Sequence, residues 1–551
     1  MKRKSVLFSY MFTITGLLML MHLPALAEEK SFQEECMELL DEGPARYLHL
    51  QTHGSSADEI DSLLADIYHA HSLQPYWLDE KGPNERAKAI LATLDDAARQ
   101  GLNPRDYFIT KIKHYWQRRD VAGLVRLDIL LSLGMMRYTA DQRQGRLEVH
   151  DIDPQLFATA RSAKVDWRHL FQEAFTTKDM RQFLGQQAPP FAQYASLMNK
   201  LAEYRVLAAK GGWERIAPGQ VIRPGMTDSR IPALRQRLAV SGEYTAPPAA
   251  ANVYDSTLVL AIKRFQQHHG LEQDGIIGPH TLAAMNVSAE KRVQQIIVNM
   301  ERYRWLDRSA LHNRQVVVNI AGFTAAGVDR EKVELSMPVV VGEAYQQTPV
   351  FDDTITYVEL NPYWTVPPSI ASKETLPKLR KNPHYLVQRK MRLFSGWGEE
   401  SKELDSTTIN WSAVSPERMR QYRIRQDPGP GNDLGRLKIM FPNPYNVYLH
   451  DTPHRNLFAR DKRAFSHGCI RLGKPVQLAS WVLGGAEAGW SAERLNELIA
   501  TEKRRVITLA TPVPVHILYR TAVVEEDGSI IFYDDIYDRD RLIGKALFGS
   551  R

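Results

Sequence analysis

Only two cysteines, Cys36 and Cys469, occur in 551 residues, so at most one disulfide can form and no cysteine-rich framework can staple the fold. Long apolar runs are also missing after the first 27 residues, and no later segment is long and apolar enough to cross a bilayer. Charge of one sign is not in large excess either. The formal net charge is +6, from 70 Lys and Arg against 64 Asp and Glu. A balance this close to neutral gives no electrostatic footprint for nucleic acid, which is not expected as a partner. A chain of this length exceeds a single core, and three or four units are expected.

The first segment has Lys2, Arg3 and Lys4, an apolar run to Leu23, Pro24, and then Ala25-Leu26-Ala27 before Glu28. That pattern reads as a secretory signal over 1–27 with cleavage after Ala27, and a retained inner-membrane anchor is the alternative. Loss of the three basic residues would bring the net charge to +3. The expected location is periplasmic, an oxidising compartment in which a Cys36–Cys469 disulfide is one explanation of the pair.

Residues 28–218 read as a helical scaffold without catalytic signature, with apolar patterns such as Leu63, Leu64, Ile67 and Tyr68. Pro218, Gly219, Pro224 and Gly225 mark a break. A compact unit over 219–286 follows, with helices expected from Asp228, after Asp255 and from Pro279, and with Pro247 and Pro248 in an insertion between the first two. His268 and His269, at the end of the second helix, are expected to be solvated. A further helix within 287–307 can pack back on the scaffold. From 308 to 551 the pattern turns to strands, including "QVVVNIAGF", "ELSMPVVVG", "TITYVEL", "VYLH" and "VPVHILYR", and to a hairpin with its turn at Asp527-Gly528. A basic helical and loop segment over about 369–436 interrupts these strands and is a candidate lid. The fold class expected is multidomain α+β.

The stretch "RAFSHGCIRLG", Arg463 to Gly473, holds the second cysteine. A thiol attacks as thiolate and is only a few per cent ionised at neutral pH. An imidazole within reach, or backbone N–H groups converging on the sulfur and the developing oxyanion, can supply what it needs. Gly468 permits a tight turn of the second kind, and His450, ending the strand "NVYLH", offers the first.

His450, fifteen residues, then Ser466-His467-Gly468-Cys469-Ile470-Arg471 resembles the signature of the L,D-transpeptidases. The run "AIKRFQQHHGLEQDGIIGPHTL" resembles the three-helix peptidoglycan-binding domain. With "NPYWTVPPSI", the insertion and the tail "FYDDIYDRDRL", the order of units resembles the large YcbB-type branch. That resemblance implies Cys469 as nucleophile and His450 as general base, with the oxyanion supported by the backbone at His467, Gly468 and Cys469 and by Ser466. Arg471 stands where many members have asparagine and, with Trp364, is a candidate substrate contact. The reaction implied is 3→3 cross-linking of peptidoglycan stem peptides through a cysteine thioester, with tetrapeptide donor and acceptor stems and glycan strands as partners and with no metal or organic cofactor.

Other readings stand beside it. Cys469 can be an inert buried residue, or it can join His450 and His467 in a zinc site. Arg471 can form a plain surface ion pair. The same acyl-enzyme resolved by water would make the protein an L,D-carboxypeptidase, and a non-catalytic wall-binding scaffold that recruits cell-wall synthases is the rival of a different class.

Overall fold

The computed structural model describes residues 30–48, 56–152, 165–247, 251–308 and 314–549. The expected leader and Pro248 lie outside them. In the amino-terminal region, helices such as Phe32–Glu42, Ala57–Ala70 and Glu85–Asp95 surround the long helix Val121–Gln144. That helix is buried on nearly every side because it is the centre of the bundle, and its polar Asp128 is satisfied there by Tyr68, Tyr76 and Trp77. Cys36 lies in the same core, fully buried. Both cysteines are free thiols, so the disulfide reading does not hold.

The small unit has helices Ile231–Val240, Ser256–Gln267 and Pro279–Met285 around Leu234, Leu238, Leu258, Ile262 and Phe265. Asp255 caps the second helix by accepting from the Leu258 amide at 2.8 Å. His269 is not solvated: it is buried, stacked on Phe265, and its Nδ1 faces the Phe265 carbonyl at 2.7 Å. Position 269 turns inward because the helix ends at Gln267 and Gly270 takes a φ of +62°.

Helix Ala289–Arg304 ties the units together. Its Ile296, Ile297, Met300 and Tyr303 share a core with Tyr194, Leu197 and Leu201 of the scaffold helix Ala192–Ala209 and with Ala522, Val524, Ile530 and Phe532. Those last four belong to the expected hairpin, strands Ala522–Val524 and Ile530–Phe532. The tail beyond Leu518 therefore straps the scaffold and the small unit rather than extending the β domain. Its closing helix, Arg539–Phe548, is held to Ala289–Arg304 by Arg302–Asp540 at 2.6 Å.

The β domain is built on nine strands: β1 Gln315–Asn319, β2 Thr324–Asp329, β3 Lys332–Gly342, β4 Phe351–Leu360, β5 Leu437–Met440, β6 Leu449–His450, β7 Ala464–Ser466, β8 Ile470–Leu472 and β9 Arg505–Leu518. Their order is β7-β3-β8-β6-β5-β4-β9-β1-β2, and β2 also pairs with β3, which closes the sheet on itself. Val318, Val339, Val358, Leu437, Leu449, Ile470, Leu472 and Ile517 fill the interior. Alternation along each strand then sends the intervening residues to the outer face.

The insertion departs from the helical and loop segment expected. It contains a four-stranded antiparallel sheet, ordered Trp364–Thr365, Arg423–Gln426, Met391–Phe394 and Glu403–Leu404, besides short helices. The strands are only two to four residues long, too short for a periodic pattern to register. Val366, Leu376, Leu379, Leu393, Trp411 and Ile424 give this cap its own core.

Candidate active site

Strands β6 and β8 run parallel, with Leu449 opposite Ile470 and His450 opposite Arg471. Leu449 and Ile470 point into the barrel, so His450 and Arg471 share the outer face, with Tyr448 and Cys469 one step back along their strands. The next strand adds Lys438, opposite His450, and β4 adds Glu359, opposite Lys438. One row therefore crosses four strands as Arg471, His450, Lys438, Glu359. Lys438 and Glu359 pair at 2.8 Å, and Arg504 reaches Glu359 from the other side at 2.5 Å.

His450 is 4% exposed, and its Nδ1 lies 2.5 Å from the Asp451 carbonyl. A carbonyl only accepts, so Nδ1 carries the proton toward Asp451, and the Leu434 carbonyl also lies within hydrogen-bond reach of the ring. Burial, followed by the nearby charge of Arg471, pushes the imidazole pKa down to about 3. For Cys469, burial pushes the thiol pKa up, while hydrogen bonding from Tyr448 and the charges of Arg471 and Lys438 pull the other way. The resting pair is a neutral thiol beside a neutral imidazole, not the preformed thiolate that the motif suggests. Sγ rests 3.6 Å from the Asn446 carbonyl, and among the described residues no hydrogen bond joins it directly to the His450 ring.

The backbone of the motif is held from within. The Ser466 hydroxyl donates to the Cys469 carbonyl at 2.5 Å and accepts from the Gly468 amide at 3.2 Å. The Gly468 N–H is thereby occupied. The His467 and Cys469 N–H groups make no hydrogen bond among the described residues, and these two are the amides left to face a ligand. Gly468 adopts a φ of +106°, open to glycine and strained for other residues.

The His467 ring turns outward to the cap, where its Nε2 bonds Glu374. Glu374 sits in a single π-turn, Ala371–Thr375. Pro377, two residues into the helix that follows, has no N–H to return to the Lys373 carbonyl, which accounts for the widened turn. Other basic and aromatic side chains of the cap are engaged within the cap or with the loop after it. Arg380 donates to the Trp411 and Val414 carbonyls, Arg389 pairs with Asp433 at 2.8 Å, and Trp411 is buried in the cap core. Trp364 packs half-buried on that same core. Arg471 lies on the same outer face as His450, and its buried Nε has no hydrogen-bond partner among the described residues. Tyr448, Lys438 and Glu359 carry no motif. The one visible signal was a lysine among apolar residues in "LKIM".

Among the described residues, no group of three or more His, Cys, Asp or Glu is placed to hold a metal ion. His450 and His467 in particular face different partners. A cleft of about 500 Å³ lies apart from the cysteine, between the small helical unit and the barrel, lined by Gln267, His280, Phe458, Arg460, Lys462 and Tyr533 among others.

Comparison with known proteins finds three matched regions. Residues 313–515 match the family described as "L,D-transpeptidase catalytic domain", residues 62–201 a "Scaffold domain" and residues 227–285 a "Putative peptidoglycan binding domain". A curated relative from Haemophilus influenzae, named "Putative L,D-transpeptidase", is 33% identical over 253 residues, 46% of this chain and 49% of the relative. The chain thus spans about half the length of that relative. Solved L,D-transpeptidase structures from Xylanimonas cellulosilytica and Stackebrandtia nassauensis align at 15% and 14% identity over 55% of this chain, and over 99% and 97% of theirs. Their TM-scores of 0.18 and 0.21 are too low to inform the fold. The carboxy-terminal domain of this chain is similar to the L,D-transpeptidase catalytic domain, and the regions before it to a scaffold domain and a peptidoglycan-binding domain.

The neutral pair has a consequence for pH. A base with a pKa of about 3 stays unprotonated down to that pH, so the rate of Cys469 acylation should be level from about pH 8 to pH 5, with no inflection near the free-imidazole value of about 6.5. Stopped-flow acylation across that range checks it, and an acid limb near pH 6.5 would contradict the neutral pair. Stability should behave differently. The unfolded chain takes up a proton on His450 below about pH 6.5 and the native state does not, so unfolding free energy should fall as pH drops from about 6.5 toward about 3.

Proposed function

We propose that the protein is a periplasmic L,D-transpeptidase that forms 3→3 cross-links between peptidoglycan stem peptides through a thioester on Cys469. The observation that carries this reading is the outer face of β6 and β8, where a cysteine, a histidine with its proton held on Nδ1, and two unoccupied backbone amides come together.

Sγ attacks the carbonyl carbon of the third stem residue, a diaminopimelate, as the imidazole of His450 takes the thiol proton. The charge on the carbonyl oxygen is met by the His467 and Cys469 N–H groups. The C–N bond to the terminal D-alanine breaks, and the proton passes from His450 to the departing amine. A side-chain amine of a second stem then attacks the thioester, an amide forms, and its proton returns by way of His450 to the released sulfur. Arg471 and Lys438 supply positive charge beside this face for the carboxylates of the stem. Attack by water in place of the amine gives the hydrolytic, L,D-carboxypeptidase outcome. Incubation of the purified protein with disaccharide-tetrapeptide and mass spectrometry of the products tests the reading: cross-linked dimer is expected, and release of D-alanine without dimer leaves only hydrolysis.

The cap bears on that partition, since an acyl-enzyme shielded from water survives until the amine arrives. Its Glu374–His467 bond rests directly on the motif. Replacing residues 366–426 with a short Gly/Ser linker is expected to leave Cys469 reactive toward a carbapenem while shifting products from dimer toward tripeptide. An unchanged ratio in a folded variant would remove the cap from the mechanism.

A further inference from the structure

The Gly468–Cys469 peptide needs an external anchor. Gly468, at a φ of +106°, has the freedom to let that peptide plane rotate, and the internal bonds of the motif fix the Gly468 N–H and the Cys469 carbonyl but not the plane between them. The anchor is Thr348, wholly buried in the loop after β3. Its hydroxyl has one proton to give and gives it to the Gly468 carbonyl at 2.8 Å, while accepting from the Gly342 amide at 2.9 Å. The peptide is trans, so its N–H points opposite to its C=O. Drawing the Gly468 carbonyl inward to Thr348 therefore turns the Cys469 N–H the other way, out of the interior.

A second layer holds Thr348 itself. The Tyr537 hydroxyl donates to the Gly342 carbonyl and accepts from the Thr348 amide at 3.3 Å, and buried Arg539 reaches Gln347 at 3.2 Å. Gly342 admits this packing because a Cβ there would meet the Gln346 carbonyl at 2.1 Å. The tail that straps the scaffold thus also braces the loop under the motif.

We infer that Thr348 is a positioning residue for the oxyanion site: its hydroxyl holds the Gly468–Cys469 peptide so that the Cys469 N–H faces the carbonyl oxygen of the bound stem. This rests on Cys469 being the nucleophile. The test compares Thr348→Val, which keeps the shape and loses the hydroxyl, with Thr348→Ser, which keeps the hydroxyl. Each is measured for acylation by a carbapenem and for alkylation by iodoacetamide, a displacement that forms no oxyanion.

Thr348→Val is expected to slow acylation by roughly 10–10²-fold, less than or equal to the loss of a whole oxyanion donor, with alkylation unchanged and with Thr348→Ser restoring most of the rate. Equal slowing of both reactions, or no slowing of acylation, would overturn the inference. Should Thr348→Val not fold, Tyr537→Phe carries the same test: acylation alone should slow, and an unchanged rate overturns it. If the unaltered protein is not acylated at Cys469, the functional reading fails instead, and the two failures are told apart.

Discussion

Cys469→Ala is expected to abolish acyl-enzyme formation and cross-linking while leaving the fold intact. The sulfur donates weakly to the Asn446 carbonyl at 3.6 Å and accepts from Tyr448, so exchanging the thiol for hydrogen on Cβ removes little packing. Thermal unfolding followed by circular dichroism should place the variant within a few degrees of the parent, since a change of about 1 kcal/mol moves the midpoint of a domain of 150–250 residues by only about 2–4 °C. Cross-linking retained by this variant would sink the assignment of the nucleophile. Activity lost on chelation and recovered with zinc would favour a metal site.

His450→Ala carries the second large effect, a fall in acylation rate of roughly 10²–10⁴-fold, the usual contribution of a positioned acid–base group. The thiol is neutral at rest, so its proton must leave during attack, and the imidazole that shares the outer face with Cys469 is that of His450. His467→Ala is the comparison. Its ring bonds Glu374 of the cap, and its part in the motif is a backbone amide that alanine keeps. It should therefore slow acylation far less. Measured on the same substrate, a larger loss for His467→Ala would move the base to the motif itself.

What could be read before folding was what lies close along the chain. The motif from Ser466 to Arg471, the helix starts at Asp255 and Pro279 and the hairpin at Asp527-Gly528 depend on neighbours a few residues apart. The missing parts depend on register. Tyr448, Lys438 and Glu359 reach the site only because β6, β5 and β4 pair in one alignment, and a shift of a single residue would turn each to the other face. Thr348 and Glu374 belong to segments more than 90 positions from the cysteine and meet the motif through tertiary packing alone.

The errors have the same origin. Trp364 looked like a substrate contact, yet the cap has a core of its own and Trp364 packs against it. His269 looked solvated at a helix end, but the chain turns there against the hairpin of the tail, and its ring lies 6.0 Å from that of Phe532. The expectation of a lowered thiol pKa came from the motif in isolation. On the folded face burial is the largest influence on that group, and the nearby cations only temper it.

Intact-protein mass spectrometry after incubation with a stem tetrapeptide is the decisive experiment. The protein is expected to gain the mass of the tripeptide acyl group, with peptide mapping placing it on Cys469 and the adduct disappearing when an acceptor amine is added. An unmodified mass with a folded protein and intact tetrapeptide, or an adduct on any other residue, would contradict the thioester on Cys469.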